Sequence, residues 1–151
     1  MKIALAYNEV LPPHRYGGVE RVVMNLAKHY QELGHSVFIL AAQGSKLTDY
    51  EHAFFPENWD GSDITHLLPK DIDFLHFHQP PREKPKKSHL ITIHGNAQPG
   101  EEFFANTNFV SQSHAKNHNA KYYVLQGIDV ERYPFVEKKS DYYIFMAKAK
   151  W

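Results

Sequence analysis

Three histidines stand where chemistry could be done in this sequence. His76 and His78 lie one residue apart in LHFHQPP, and His94 is followed by Gly95 in ITIHGN. On a strand, alternation places His76 and His78 on one face and Phe77 on the other. If the two runs are neighbours in a parallel sheet, all three imidazoles reach the same edge. Three chemistries are open to such a group. A histidine at a strand end is most often a hydrogen-bonded structural residue, and a chain with 11 histidines must hold some of these. His76, His78 and His94 together could bind zinc in a three-histidine site, as a metal hydrolase would require. No carboxylate follows at tight spacing and nothing resembles H-E-x-x-H, which weakens that reading. The third chemistry is polar contact with a sugar or a phosphate.

A second feature lies in the loop Asn8 to Gly18, where His14, Arg15 and the pair Gly17-Gly18 lead into a helical pattern. A helix amino terminus offers unpaired N–H groups and positive dipole potential, a seat for phosphate. Glycines there allow close approach to the backbone. The pair is not the G-x-G-x-x-G fingerprint and, taken alone, is also consistent with a plain turn. A serine hydrolase should show G-x-S-x-G at a strand-to-helix turn, and no serine here has that context. Ser111 and Ser113 lack flanking glycines and read as helix caps. Glu101 and Glu102 are neighbours in sequence and read as opening a helix after Pro99-Gly100, not as the paired carboxylates of a glycosidase.

These residues need a scaffold, and the apolar pattern supplies one. Lys2 to Tyr7 (KIALAY) is a compact apolar run bounded by Asn8 and Pro12-Pro13, the mark of a buried strand. In VERVVMNLAKHYQELG, apolar residues from Val19 to Leu33 recur at three- and four-residue steps, and Gly34 sits where a left-handed cap would end a helix. Ser36 to Ala42 is a second apolar strand. Strand, helix and strand of this kind form a βαβ unit in a parallel sheet covered on both faces. Further short apolar runs fall at Ile64 to Leu68, Phe74 to Phe77, Leu90 to Ile93, Phe109-Val110 and Tyr122 to Leu125. Asn108 to Ala120 suggests a strand turning into a short helix. The expectation is a doubly wound, Rossmann-like α/β domain of six or seven parallel strands, in three α/β/α layers. Pro134 to Ser140 is linker-like, and Tyr142 to Ala147 opens a new apolar run.

Composition sets outer limits. Seventeen basic residues balance seventeen acidic ones, so the basic surplus of a duplex-nucleic-acid binder is missing. The mixed cluster Arg82 to Lys87 reads as a solvated loop; the lesser reading is a weak peripheral contact with anionic lipid or a phosphorylated acceptor. The chain has no cysteine, which removes disulfides, thiolate metal sites and cysteine nucleophiles. The apolar run after Lys2 is too short for a signal-peptide core, and no stretch approaches a membrane span. The expected setting is the cytoplasm.

With these residues on the page, the chain resembles the amino-terminal domain of GT-B glycosyltransferases, specifically the retaining enzymes of family 4. Three stretches carry the resemblance in order: GGVERVVMNLAKHYQELGHSVFIL, then DFLHFHQPP with LITIHGN, then NFVSQSHA with VLQGIDVERYPF. The resemblance implies a domain over residues 1–135, with 136–151 a linker and the first strand of an absent donor-binding domain. Gly17 and Gly18 match a glycine-rich loop near the donor phosphates or the acceptor. His94, with Gly95, matches the position that contacts the transferred sugar, and His78 an acceptor-side position. Ser111 matches a structural serine. Gly127 and Asp129 match an Asn-Gly-Ile/Val-Asp motif in which Gln126 stands for the usual asparagine. The implied reaction moves a sugar from a nucleoside diphosphate-sugar to a glycan or lipid-linked acceptor with retention. It needs no metal or other cofactor, and it is active only with the second domain. A stand-alone sugar- or phosphate-binding module shares all of these features.

Overall fold

In the computed structural model, residues 1–15, 17–96 and 100–145 are described. Six strands form one sheet: β1 (Lys2–Tyr7), β2 (Ser36–Ala41), β3 (Glu51–Phe54), β4 (Phe74–Phe77), β5 (His89–Ile93) and β6 (Thr107–Phe109). Their order is β3-β2-β1-β4-β5-β6, and every pairing is parallel. The chain therefore winds outward from β1 in one direction and from β4 in the other. This is the doubly wound Rossmann-like order, with its reversal between β1 and β4.

Helix α1 (Gly18–Glu32) carries the first crossover, and Gly34 follows it at φ +83°, a conformation only glycine adopts without strain. Its inward residues Val23 and Ala27 pack with Leu5, Val37, Ile39 and Ala41 of the first two strands and with Leu11 and Leu47 from loops. On the opposite face Ala4, Ala6, Leu75, Phe77, Ile91, Ile93 and Phe109 form a second, larger core. The alternation of the strands divides the apolar residues between these two cores.

The cover on that second face is built from short pieces. The run Ile64 to Leu68 is not a strand; Thr65–Leu67 is a 3-10 turn whose flanking Ile64 and Leu68 plug the core from below. Helix α2 (Gln112–Asn117) is one and a half turns long, and Ser111 caps it by accepting the His114 N–H at 3.1 Å. Residues 101–104 form no helix, contrary to the reading of Glu101-Glu102 as a helix start. Phe103 instead sets its ring edge-on against Phe109. Tyr122 to Leu125 contributes no named strand, only an isolated bridge from Tyr123 to Phe109. Tyr142–Phe145 are exposed and in no element, and Met146 and Ala147 of the same run lie outside the described residues.

Among the described residues no helix is long and apolar enough to cross a membrane. The Arg82–Lys87 cluster is tied into the fold. The Gly61 carbonyl accepts the N–H groups of Arg82 and Glu83 at 2.8 and 3.0 Å, Lys86 pairs with Asp63 at 3.3 Å, and the Lys87 ammonium donates to the carbonyls of Lys70 and Ile72.

Candidate active site

The register of β4 against β5 settles what the sequence left open. His76 lies opposite Leu90 and Phe77 opposite Ile91, so the ends of β4 and β5 reach the same carboxyl edge. His78 follows β4 directly, its N–H donating to the Ala6 carbonyl at 2.9 Å. As expected from alternation, the rings of His76 and His78 share a face, with centroids 4.2 Å apart, while Phe77 enters the opposite core. His94, one residue beyond β5, stacks on His78 at 5.2 Å.

The hydrogen bonds order the protons. Thr92 Oγ donates to Asn108 Oδ1 at 2.7 Å, so it accepts from His76 Nε2–H, also at 2.7 Å. On the outer side, the Gln126 amide nitrogen donates to His94 Nδ1. A neutral His94 then carries its hydrogen on Nε2 and donates it to His78 Nδ1 at 3.0 Å. Burial holds all three rings neutral: it pushes His78 down to about 2 and His76 and His94 down to about 4, and the neighbouring imidazoles add to each shift. His114 of α2 donates from Nε2 to the Gly95 carbonyl at 3.0 Å and accepts the Val110 N–H, which pins the His94-Gly95 turn to the next element.

The phosphate-seat candidates lie beside this group. The loop after β1 is held on both sides. Asn8 N–H donates to Gln79 Oε1 at 2.9 Å, and Leu11 N–H to Ser45 Oγ at 2.9 Å. Gly17 is buried at the start of α1 with no side-chain cap, and a Cβ there would stand 2.6 Å from Pro13 Cβ and 2.9 Å from the Glu20 carboxylate. Gly17→Ala is therefore expected to lower the stability of the domain by about 1–3 kcal/mol, read from the urea midpoint. An unchanged midpoint would show that the Pro13 loop moves freely. Gly18 meets no such obstacle.

The candidates fall into two adjoining cavities, not one. His78 and His94 line a cavity of about 350 Å³ between α1, the β4–β6 face and residues 124–129. Gly18 lines a neighbouring one of about 330 Å³, which shares Val22, Asn25 and Gln126–Asp129 with the first. Arg15, Gly17 and Gly95 line neither; Arg15 is exposed, and its carbonyl accepts from Arg21 at 3.1 Å. Among the described residues no three His, Asp or Glu side chains are grouped to hold a metal ion, and His78 and His94 spend a nitrogen each on one another. Thr92, Asn108 and His114 join the site unannounced, because single Thr, Asn and His residues in strands and short helices carry no pattern.

The parallel sheet reverses between β1 and β4 and gathers polar groups just beyond its carboxyl edge, the place where open α/β sheets in general hold their ligands. The model of glycosyltransferase family 4 matches residues 16–130, and the chain belongs to that family. The fold agrees. The chain is similar to the crystal structure of AviGT4, a glycosyltransferase involved in avilamycin A biosynthesis, with a TM-score of 0.65 and 24% identity over 88% of this chain. That alignment covers 44% of AviGT4, so the chain spans less than half the length of that relative. No curated protein matches the chain. The domain is thus an amino-terminal, GT-B-like glycosyltransferase domain.

Proposed function

We propose that this domain is the acceptor-side half of a glycosyltransferase that moves a sugar from a nucleoside diphosphate-sugar to a hydroxyl of a glycan or lipid-linked acceptor, with retention. It works together with a carboxy-terminal donor-binding half, into which residues 136–151 lead. The observation that carries this reading is the meeting of His78 and His94 at the carboxyl edge next to the β1–β4 reversal.

In this reading His94 is the catalytic position and touches the transferred sugar. Both of its nitrogens are engaged, so a sugar hydroxyl binds the ring by displacing a partner, and exposed Gln126 is the one that can leave. A neutral imidazole suits this role, since it places a hydrogen bond without adding charge beside the sugar. His78 orients His94 from the acceptor side. Gly17 and Gly18 bring the first N–H groups of α1 toward the diphosphate, with Arg15 above them and the Gly95 backbone at the sugar. The chemistry assigned here is positioning and charge stabilisation, for which no metal or other cofactor is required.

The test is release of nucleoside diphosphate from a panel of nucleotide sugars, comparing the 151-residue chain with a protein extended by a donor-binding half. Turnover is expected only from the extended protein, and His94→Ala in that protein is expected to lower kcat/KM by about a hundredfold. Turnover by the isolated chain would sink the proposed division of labour.

A further inference from the structure

His94 is held from two sides, and the two holds differ in kind. On the inner side it meets His78, a buried ring. On the outer side it meets Gln126, an exposed side chain 32 residues further along the chain. Gln126 stands between two ties. Val124 N–H donates to the Phe109 carbonyl of β6 at 2.8 Å, and Asp129, which lines the same cavity, pairs with Lys28 of α1 at 3.6 Å. The backbone on either side of Gln126 is thus fixed without help from its side chain. Among the described residues that side chain bonds His94 and nothing else.

What Gln126 contributes is a direction. An amide nitrogen donates and cannot accept, so the His94 Nδ1 that faces it must offer a lone pair. A neutral ring carries one hydrogen, which then lies on Nε2 and points to His78. The length of the side chain matters as much as its chemistry. Gln126 stands where the resemblance to family 4 implies asparagine. An asparagine amide would stop one carbon–carbon bond short, about 1.5 Å, and leave Nδ1 beyond hydrogen-bonding reach. A glutamate has the right length but presents only acceptors, and would draw the hydrogen onto Nδ1.

We propose that Gln126 is a positioning residue for His94, holding the ring with its hydrogen on Nε2 and its Nδ1 lone pair turned outward. The ligand group that takes the place of the amide on Nδ1 must therefore donate. A hydroxyl or an N–H serves, whereas a carboxylate, phosphate or carbonyl oxygen would set lone pair against lone pair. That this group belongs to the transferred sugar rests on the function proposed above; the proton order does not.

The test is the ring-nitrogen NMR spectrum of the ¹⁵N-labelled chain at neutral pH, for the wild type, Gln126→Glu and Gln126→Asn. In the wild type His94 is expected to show hydrogen on Nε2 and a hydrogen-bonded lone pair on Nδ1. In Gln126→Glu the Nδ1 signal is expected to move to the protonated position. In Gln126→Asn, which keeps the amide but not the reach, it is expected to shift toward that of free imidazole while the urea midpoint stays unchanged. Hydrogen on Nδ1 in the wild type, or wild-type ring signals in either variant, would overturn the proposal. A urea midpoint that falls in Gln126→Asn would mark a merely structural residue and overturn it as well. No nucleotide sugar enters the measurement, so its failure leaves the transferase reading standing, and failure of sugar transfer leaves this result standing.

Discussion

Lowering the pH from 7 to 4.5 is expected to unfold this domain. The cause is the buried imidazoles. In the unfolded chain a histidine takes up a proton near pH 6.5, whereas in the fold His76 and His94 wait until about 4 and His78 until about 2. Above pH 6.5 these groups are neutral in both states and cost nothing. Below it the unfolded chain binds more protons, so stability falls as pH falls, until the folded rings titrate. Each buried ring removes about 1.4 kcal/mol per pH unit in that window, so His76 and His78 together remove about 3. His94, at the solvent edge, adds less because water screens it. Over two pH units the loss is comparable with the whole stability of an ordinary domain, about 5–15 kcal/mol. The measurement is the urea midpoint from pH 8 to pH 4.5. It should be flat above pH 7 and fall steeply below 6.5, and a midpoint that holds to pH 4.5 would contradict the neutral, buried histidine group.

Phe77→Ala should produce the largest loss from a single substitution, about 3–5 kcal/mol. Phe77 is 1% exposed, lies between β1 and β5 in the sheet, and stacks on Trp59 with centroids 6.4 Å apart. Its removal opens a cavity under both neighbours. The backbone of β4 that carries His76 and leads into His78 rests on that packing, so the histidine stack should loosen as well. Thermal unfolding reads the first effect. The second appears as a change in the His78 and His94 ring signals under conditions where the variant is still folded. A loss below 1 kcal/mol would mean that the surrounding side chains close the gap.

The parts of the fold legible in the sequence were those in which burial follows a period. KIALAY, SVFILA and the α1 stripe identify themselves because both faces, or one full stripe, are apolar. Strand β3 did not, since EHAF is a half-exposed edge strand with two charged or polar positions in four. Ile64 to Leu68 misleads for the opposite reason: Ile64 and Leu68 are buried by plugging a core, not by joining the sheet. At the site, the spacing of His76 and His78 was enough to place them on one face. Their meeting with His94 depended on β4 and β5 being adjacent, which only the pairing reveals. Gln126 stood out as a departure from a family motif, but its bond to His94 crosses 32 residues and leaves no local trace.

His76, Thr92 and Asn108 sit on β4, β5 and β6 and form a rung that crosses three strands. Each side chain of such a rung depends on the other two. Thr92→Val alone would strand a donor on His76 and an acceptor on Asn108, and changing either outer residue would strand Thr92 in turn. No single exchange for an aliphatic residue improves the sheet, although replacing all three at once could. Sequences drifting from this one should therefore either keep the three residues or abandon them together, and mixed sets should be rare.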